Sequence, residues 1–290
     1  MSYFLKLGLH LLRFHIDFGR LSVAIQKYKI KNIRFKSNRR IGSLYLHNIV
    51  SELCKWAISD YACYKIINDF FNTNRHNTDS RSIISSRIDR LREEQKKIYN
   101  NEANNYCFYK VKGLILNLFE NSTISDNDYR KVYSDYIEHL TMQWKKYPGR
   151  YGKVFYEPLI KYKRNELFAN RDFANSKCDV VYKNNREKSL SIYECKFGLL
   201  TFFSHLRMDI NTAPRNLRKK GIRARRKINY LNECKRIFSS NSDIINLDVK
   251  IITLATRSSL RSSSNLLGGI DVITREDLED RSFYNSLKKE

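Results

Sequence analysis

Apolar residues in the first part of the chain recur at helical spacing. Leu46, Ile49, Val50, Leu53, Trp56 and Ala57 share one side of a helix expected from about Leu44 to Phe71. A second helix is expected from Ser82 to Asn100, where Ile84, Ile88, Leu91 and Ile98 make a narrow stripe between charged neighbours. Val111 to Phe119 forms a third apolar block. The polar stretch Glu120 to Asp128 then breaks the pattern. Ser125 followed by Asp128 has helix-start chemistry, and Tyr129, Val132, Tyr133, Tyr136, Ile137, Leu140 and Trp144 define the inner side of a helix that Pro148-Gly149 stops.

Beyond that helix the period shifts toward two. Val154 to Ile160, Cys178 to Tyr182, Ser189 to Phe197, Leu247 to Leu254 and Gly269 to Thr274 read as strands, with a basic helix from Arg215 to Phe238 and a terminal helix from about Glu276. The order α-β-β-β-α-β-β-α predicts an α/β fold. The expected organisation is an all-helical N-terminal domain, 1–122, followed by a mixed domain, 123–290.

Composition narrows the function. The chain of 290 residues has 54 Lys+Arg against 30 Asp+Glu, a formal charge of +24, with 42% hydrophobic residues. The apolar share is enough for a core. The charge favours a polyanionic partner over a small neutral metabolite. With ten glycines and neither GxGxxG nor GxxxxGK[ST], a nucleotide-binding loop is not expected. No GxSxG points to a serine hydrolase. The six cysteines are scattered, without zinc spacing, which favours reduced thiols in a cytoplasmic setting. No run reaches the about 18 apolar residues of a membrane span. The N-terminal segment from Ser2, interrupted by Lys6, His10 and Arg13, reads as a buried or interfacial helix.

The candidate chemistry lies in the strand pair around Lys183 to Lys188. A hairpin centred between Arg186 and Glu187 sets Asp179 opposite Glu194, and Lys196 on the same face as Glu194. Directly opposed carboxylates repel. A divalent ion would offset that, and carboxylate oxygens suit Mg²⁺ or Mn²⁺. Lys196 would stand beside it to orient water or stabilise negative charge.

Asp179, a gap of 14 residues and Glu194-Cys195-Lys196 resemble the D…(D/E)xK signature of the restriction-endonuclease-like PD-(D/E)xK phosphodiesterases. The resemblance covers about residues 128 to 276, with Cys178 where the family's Pro would stand. It implies a restriction-endonuclease-like core (α-β-β-β-α-β) and a metal-dependent nuclease. Asp179, Glu194, Glu138 and the Cys195 carbonyl would hold Mg²⁺, with Mn²⁺ plausible, and Lys196 would serve the attacking water. Glu157 competes with Glu138 for the third acidic role.

Two basic runs suit a phosphate backbone. Arg215 to Arg236 holds ten Lys/Arg and one acid, with Lys220, Arg223, Arg226 and Lys227 the expected contacts; one of the last two would reach the active site in the manner of the family. Lys27 to Arg40 holds seven and no acid, including Arg39 and Arg40; Tyr28 and Phe35 within it would stack on bases or face the core. The expected partner is nucleic acid, DNA favoured over RNA, with a homodimer or partner protein possible. The alternative is a non-catalytic nucleic-acid-binding protein on the same fold.

Overall fold

The computed structural model describes residues 28–37, 44–120, 124–146, 151–167, 173, 176–240 and 242–288. The N-terminal apolar segment, Arg39 and Arg40 lie outside them. The chain runs through strand β1 (Ile33–Ser37), helices α1 (Leu44–Ser59), α2 (Tyr61–Thr73), α3 (Arg81–Tyr99), α4 (Asn105–Asn117) and α5 (Asp126–Lys145), and strands β2 (Lys153–Tyr156), β3 (Pro158–Tyr162) and β4 (Asn165–Glu166). Strands β5 (Val180–Asn184) and β6 (Ser189–Lys196) follow, then helices α6 (Leu200–Arg207) and α7 (Arg215–Ser240) and strand β7 (Asn246–Thr253). Helix α8 (Arg257–Leu260), strand β8 (Asp271–Ile273) and helices α9 (Arg275–Leu278) and α10 (Arg281–Leu287) complete it.

The fold is mixed α/β, as the change of period predicts. Its larger sheet has the order β2-β5-β6-β7-β8. The first three strands are antiparallel neighbours, and β6, β7 and β8 run parallel. Helix α7 makes the crossover between β6 and β7. Alternate side chains of the central strands feed opposite layers. Val180, Tyr193, Cys195 and Ile252 pack toward α1–α5 and α10, whereas Val181, Ile192, Val249 and Ile251 pack toward α6 and α7. The first of these clusters draws residues from both before and after residue 122, so its core is shared by the two expected domains.

Local chemistry explains where the observed elements depart from the predicted ones. The helix expected through residue 71 breaks at Asp60, whose extended backbone and carboxylate, 2.8 Å from the Cys63 N–H, cap α2. The terminal helix likewise breaks at Asp280, which accepts from the Ser282 N–H at 2.8 Å. The strand expected from Val154 to Ile160 is two strands in different sheets. Glu157 between them has a φ of 40°, which turns the chain off the large sheet.

The expectation of an all-helical stretch up to residue 122 is corrected by β1. Ile33 and Phe35 alternate with Arg34 and Lys36, and β1 pairs antiparallel with β3, setting Ile33 opposite Tyr162 and Phe35 opposite Ile160. Together with β4 they form a three-stranded sheet. Tyr28 and Phe35 therefore turn to protein, their rings 4.8 Å from Tyr162 and 4.7 Å from Phe155.

A polar tie joins α2 to the C-terminal helices. Arg275, 15% exposed, pairs with Asp69 and, at 2.7 Å, with Glu279. Arg275→Met would leave two carboxylates with little solvent and no guanidinium. Urea denaturation is expected to show a loss of about 3 kcal/mol; an unchanged midpoint would make the tie dispensable.

Candidate active site

The register places the acidic strand ends together. Val180 faces Tyr193 and Asn184 faces Ser189, the pairing expected from the hairpin centre. The regular ladder ends at Val180 and Tyr193: the Asp179 N–H donates to the same Tyr193 carbonyl at 3.1 Å, so Asp179 lies beside Glu194 at the strand end and is not paired directly with it as the hairpin centre predicts. Asp179 and Glu194 thus leave neighbouring strands at the same end. The Asp179 carboxylate also accepts from the Cys195 N–H at 2.7 Å, which fixes its direction.

Lys196 lies among these acids. Its ammonium is 2.5 Å from Glu194 Oε1, 3.9 Å from Asp179 Oδ2 and 3.2 Å from the Cys195 carbonyl oxygen. From α7, Lys227 reaches the other Glu194 oxygen at 2.8 Å and donates to the Lys177 carbonyl at 2.6 Å. Glu194 is fully buried. Burial alone would raise its pKa, but the ammonium groups of Lys196 and Lys227 hold it below the usual carboxylate value. Burial would likewise lower Lys196, yet Glu194 and Asp179 keep it well above the ordinary lysine range.

Glu138 approaches from α5. Its Oε2 atom is buried without a hydrogen-bond partner. Burial, then the Asp179 charge, pushes this carboxyl up to about 9, against the opposing hydrogen bond with Tyr156. Asp179 is pushed up to about 6 by burial and by Glu194, with Lys196 and Lys227 opposing. Glu157, by contrast, is partly exposed and stands 4.0 Å from Lys177. Glu138 rather than Glu157 therefore joins Asp179 and Glu194.

Two neighbours escaped the sequence reading. Asp135 lies one turn before Glu138, and burial, opposed by Lys131 and reinforced by Glu157, raises it to about 6. Tyr156, at the end of β2, hydrogen-bonds Glu138. The i, i+3 spacing of Asp135 and Glu138 was the available signal. On the basic helix, Lys220 and Arg223 are exposed and Arg226 is half-buried, whereas the Lys227 ammonium turns to Glu194.

Lys196 also lines a cleft of about 600 Å³. Arg75 and His76 after α2, Arg130 and Ser134 of α5, and Thr201 of α6 form other parts of its wall. The Arg75 guanidinium lies 4.5 Å from the Phe197 ring centre and donates to Asn72 at 2.9 Å. Burial lowers its pKa. Arg75, Arg130 and Lys196 make part of this wall cationic, with the hydroxyls of Ser134 and Thr201 among them.

Comparisons with family models, curated proteins and solved structures give no match. The geometry therefore has to carry the functional reading. Among the described residues, no group of three or more His, Cys, Asp or Glu side chains is closed around one point as metal ligands. The donor types nevertheless suit a hard cation: Asp179, Glu194 and the Cys195 carbonyl surround the Lys196 ammonium, and on the neighbouring helix the buried Glu138 Oε2 has no donor. Near neutral pH the ammonium groups of Lys196 and Lys227 balance Asp179 and Glu194 while Glu138 keeps its proton, so excess negative charge appears only when that proton leaves.

Proposed function

We propose that the chain is a Mg²⁺-dependent phosphodiesterase acting on nucleic acid, DNA in preference to RNA, built on a restriction-endonuclease-like core. The observation that carries this reading is the meeting of Asp179, Glu194 and Lys196 at one end of a strand pair, with the buried Glu138 carboxyl near enough to feel the Asp179 charge. Three antiparallel strands leading into parallel ones through a helical crossover, with α5 across the opposite face, support the same core.

Glu138, Asp179, Glu194 and the Cys195 carbonyl would hold the ion. Bound Mg²⁺ would supply positive charge at the phosphate and acidify water. The reaction adds water across one P–O bond, giving a phosphomonoester and an alcohol. Lys196 presents its ammonium where charge grows on the phosphate oxygens. Lys227 fixes Glu194, and the Cys195 N–H fixes Asp179. Lys220 and Arg223 extend positive charge along α7 for the backbone.

The test is cleavage of duplex, single-stranded and branched DNA, and of RNA, by purified protein with Mg²⁺ or Mn²⁺. A second reading, a non-catalytic nucleic-acid binder, draws on the two lysines that neutralise Glu194. It predicts binding without cutting under every condition.

The cleft adds a kinetic prediction. Arg75→Ala is expected to raise KM about tenfold, with kcat nearly unchanged, because one charge-assisted phosphate contact is lost. Equal KM values for the variant and the parent would remove Arg75 from the substrate path.

A further inference from the structure

A second groove, of about 350 Å³, opens where the small sheet meets β2, the edge strand of the large sheet. Arg34, Phe35, Tyr151, Lys153, Phe155 and Lys183 line it, and no acid does so among the described residues. Its charges are arranged against stability. The register sets Lys153 directly opposite Lys183, and Arg34 directly opposite Lys161. Like charges facing across strands are unfavourable. Burial first, then Arg34 and Lys153, lowers the pKa of Lys183. Its ammonium donates to the Ile33 carbonyl at 2.5 Å, which satisfies a hydrogen bond but cancels no charge. A polyanion laid in the groove would offset this repulsion.

The aromatic part of the wall says more about the ligand. Phe35 and Phe155 contact each other, whereas Tyr151 is 73% exposed. The Arg186 guanidinium stands 4.7 Å from the Tyr151 ring centre. Gly152 lets the chain pass close over Tyr182, since a Cβ there would come within 2.1 Å of that ring. The backbone is thereby held down while Tyr151 remains outside. With Arg186 over one face of this exposed ring, a base would stack on the other.

We propose that this groove is a second nucleic-acid site, one that takes single-stranded backbone: Arg34, Lys153 and Lys183 bind phosphates and Tyr151 stacks on a base. It lies toward the start of β2, about 10 Å along the strand from Tyr156 at the acidic centre. The inference is separate from the hydrolytic reading, because a chain that cuts nothing would still bind here.

The test uses the full chain in EDTA with a fluorescent oligothymidylate, read by anisotropy between about 50 and 200 mM salt. Arg34→Gln/Lys153→Gln is expected to weaken binding about tenfold or more and to flatten the log–log salt dependence by about 1.4, from two lost phosphate contacts. Tyr151→Ala is expected to weaken oligothymidylate binding and leave affinity for a duplex of equal length unchanged. The free double variant is expected to melt no lower than the parent; a lower melting point would make the cations structural and overturn the proposal. Unchanged oligothymidylate affinity and salt slope in the double variant would also overturn it. So would variants that lose only binding to phosphatidylserine vesicles, an outcome that assigns the groove to a membrane surface.

Discussion

Asp179→Asn is expected to slow phosphodiester cleavage by at least about 10³-fold while leaving nucleic-acid affinity close to that of the parent. The substitution is chosen for what it keeps. An amide oxygen can still accept from the Cys195 N–H, now 2.7 Å from the carboxylate, so the strand end retains its anchor. What disappears is the negative charge that would hold a cation next to Glu194. Lys196→Ala removes the other half of the chemistry, and Lys227 remains to neutralise Glu194. Its expected loss is about 10²–10³-fold in kcat, the scale for one group that stabilises transition-state charge. Glu194→Gln is a poorer probe, because it leaves two partly buried ammonium groups without their shared partner. Plasmid and oligonucleotide cleavage with Mg²⁺ and with Mn²⁺ checks all three. Parental rates in Asp179→Asn and Lys196→Ala would end the site assignment. A parent chain that binds but never cuts would favour the non-catalytic reading.

The hairpin at the centre of that prediction was legible because two independent signals agree. Polar Asn184 to Lys188 marks the turn, and the apolar residues on either side fix which faces are buried. A slip of one residue would have moved Val181 and Ile192 out of the core they now share. The long amphipathic helices were legible for the same reason. Their ends were less so, because Asp60 caps a new helix inside an unbroken apolar pattern.

Strand β1 was obscured by its own function-like chemistry. Only Ile33 is fully buried, and Arg34 and Lys36 dominate the composition, so a period-two pattern reads as a basic run. The break at Glu157 had no glycine to announce it. Lys227 could be assigned to the site only as a likeness to a family, since nothing in the charge run distinguishes it from Arg226. Three-dimensional packing makes that distinction by turning Lys227 to Glu194. The Asp135–Glu138 pair shows the opposite case, a spacing that was present but drowned among surface acids.

Glu138→Gln is expected to stabilise the protein at neutral and alkaline pH and to abolish cutting at the same time. The sign follows from the proton balance. The folded carboxyl holds its proton up to about 9, whereas an unfolded glutamate releases it near 4.3. Between these values the unfolded state binds fewer protons, so stability falls as pH rises, by up to about 1.4 kcal/mol per pH unit. Below that window both states are protonated and the penalty vanishes. Glutamine resembles the protonated carboxyl in shape and has no proton to lose. Its advantage should therefore be near zero at pH 4 and approach, at most, about 4 kcal/mol by pH 7, measured by urea unfolding of both chains across that range. A variant less stable than the parent at pH 8 would mean that Glu138 is ionised and paired. Mg²⁺ provides the complementary measurement. It should raise the melting temperature of the parent more as pH rises, because binding the ion requires the Glu138 proton to leave. It should raise that of Glu138→Gln much less. The same carboxyl that weakens the fold would then be the one retained for the ion.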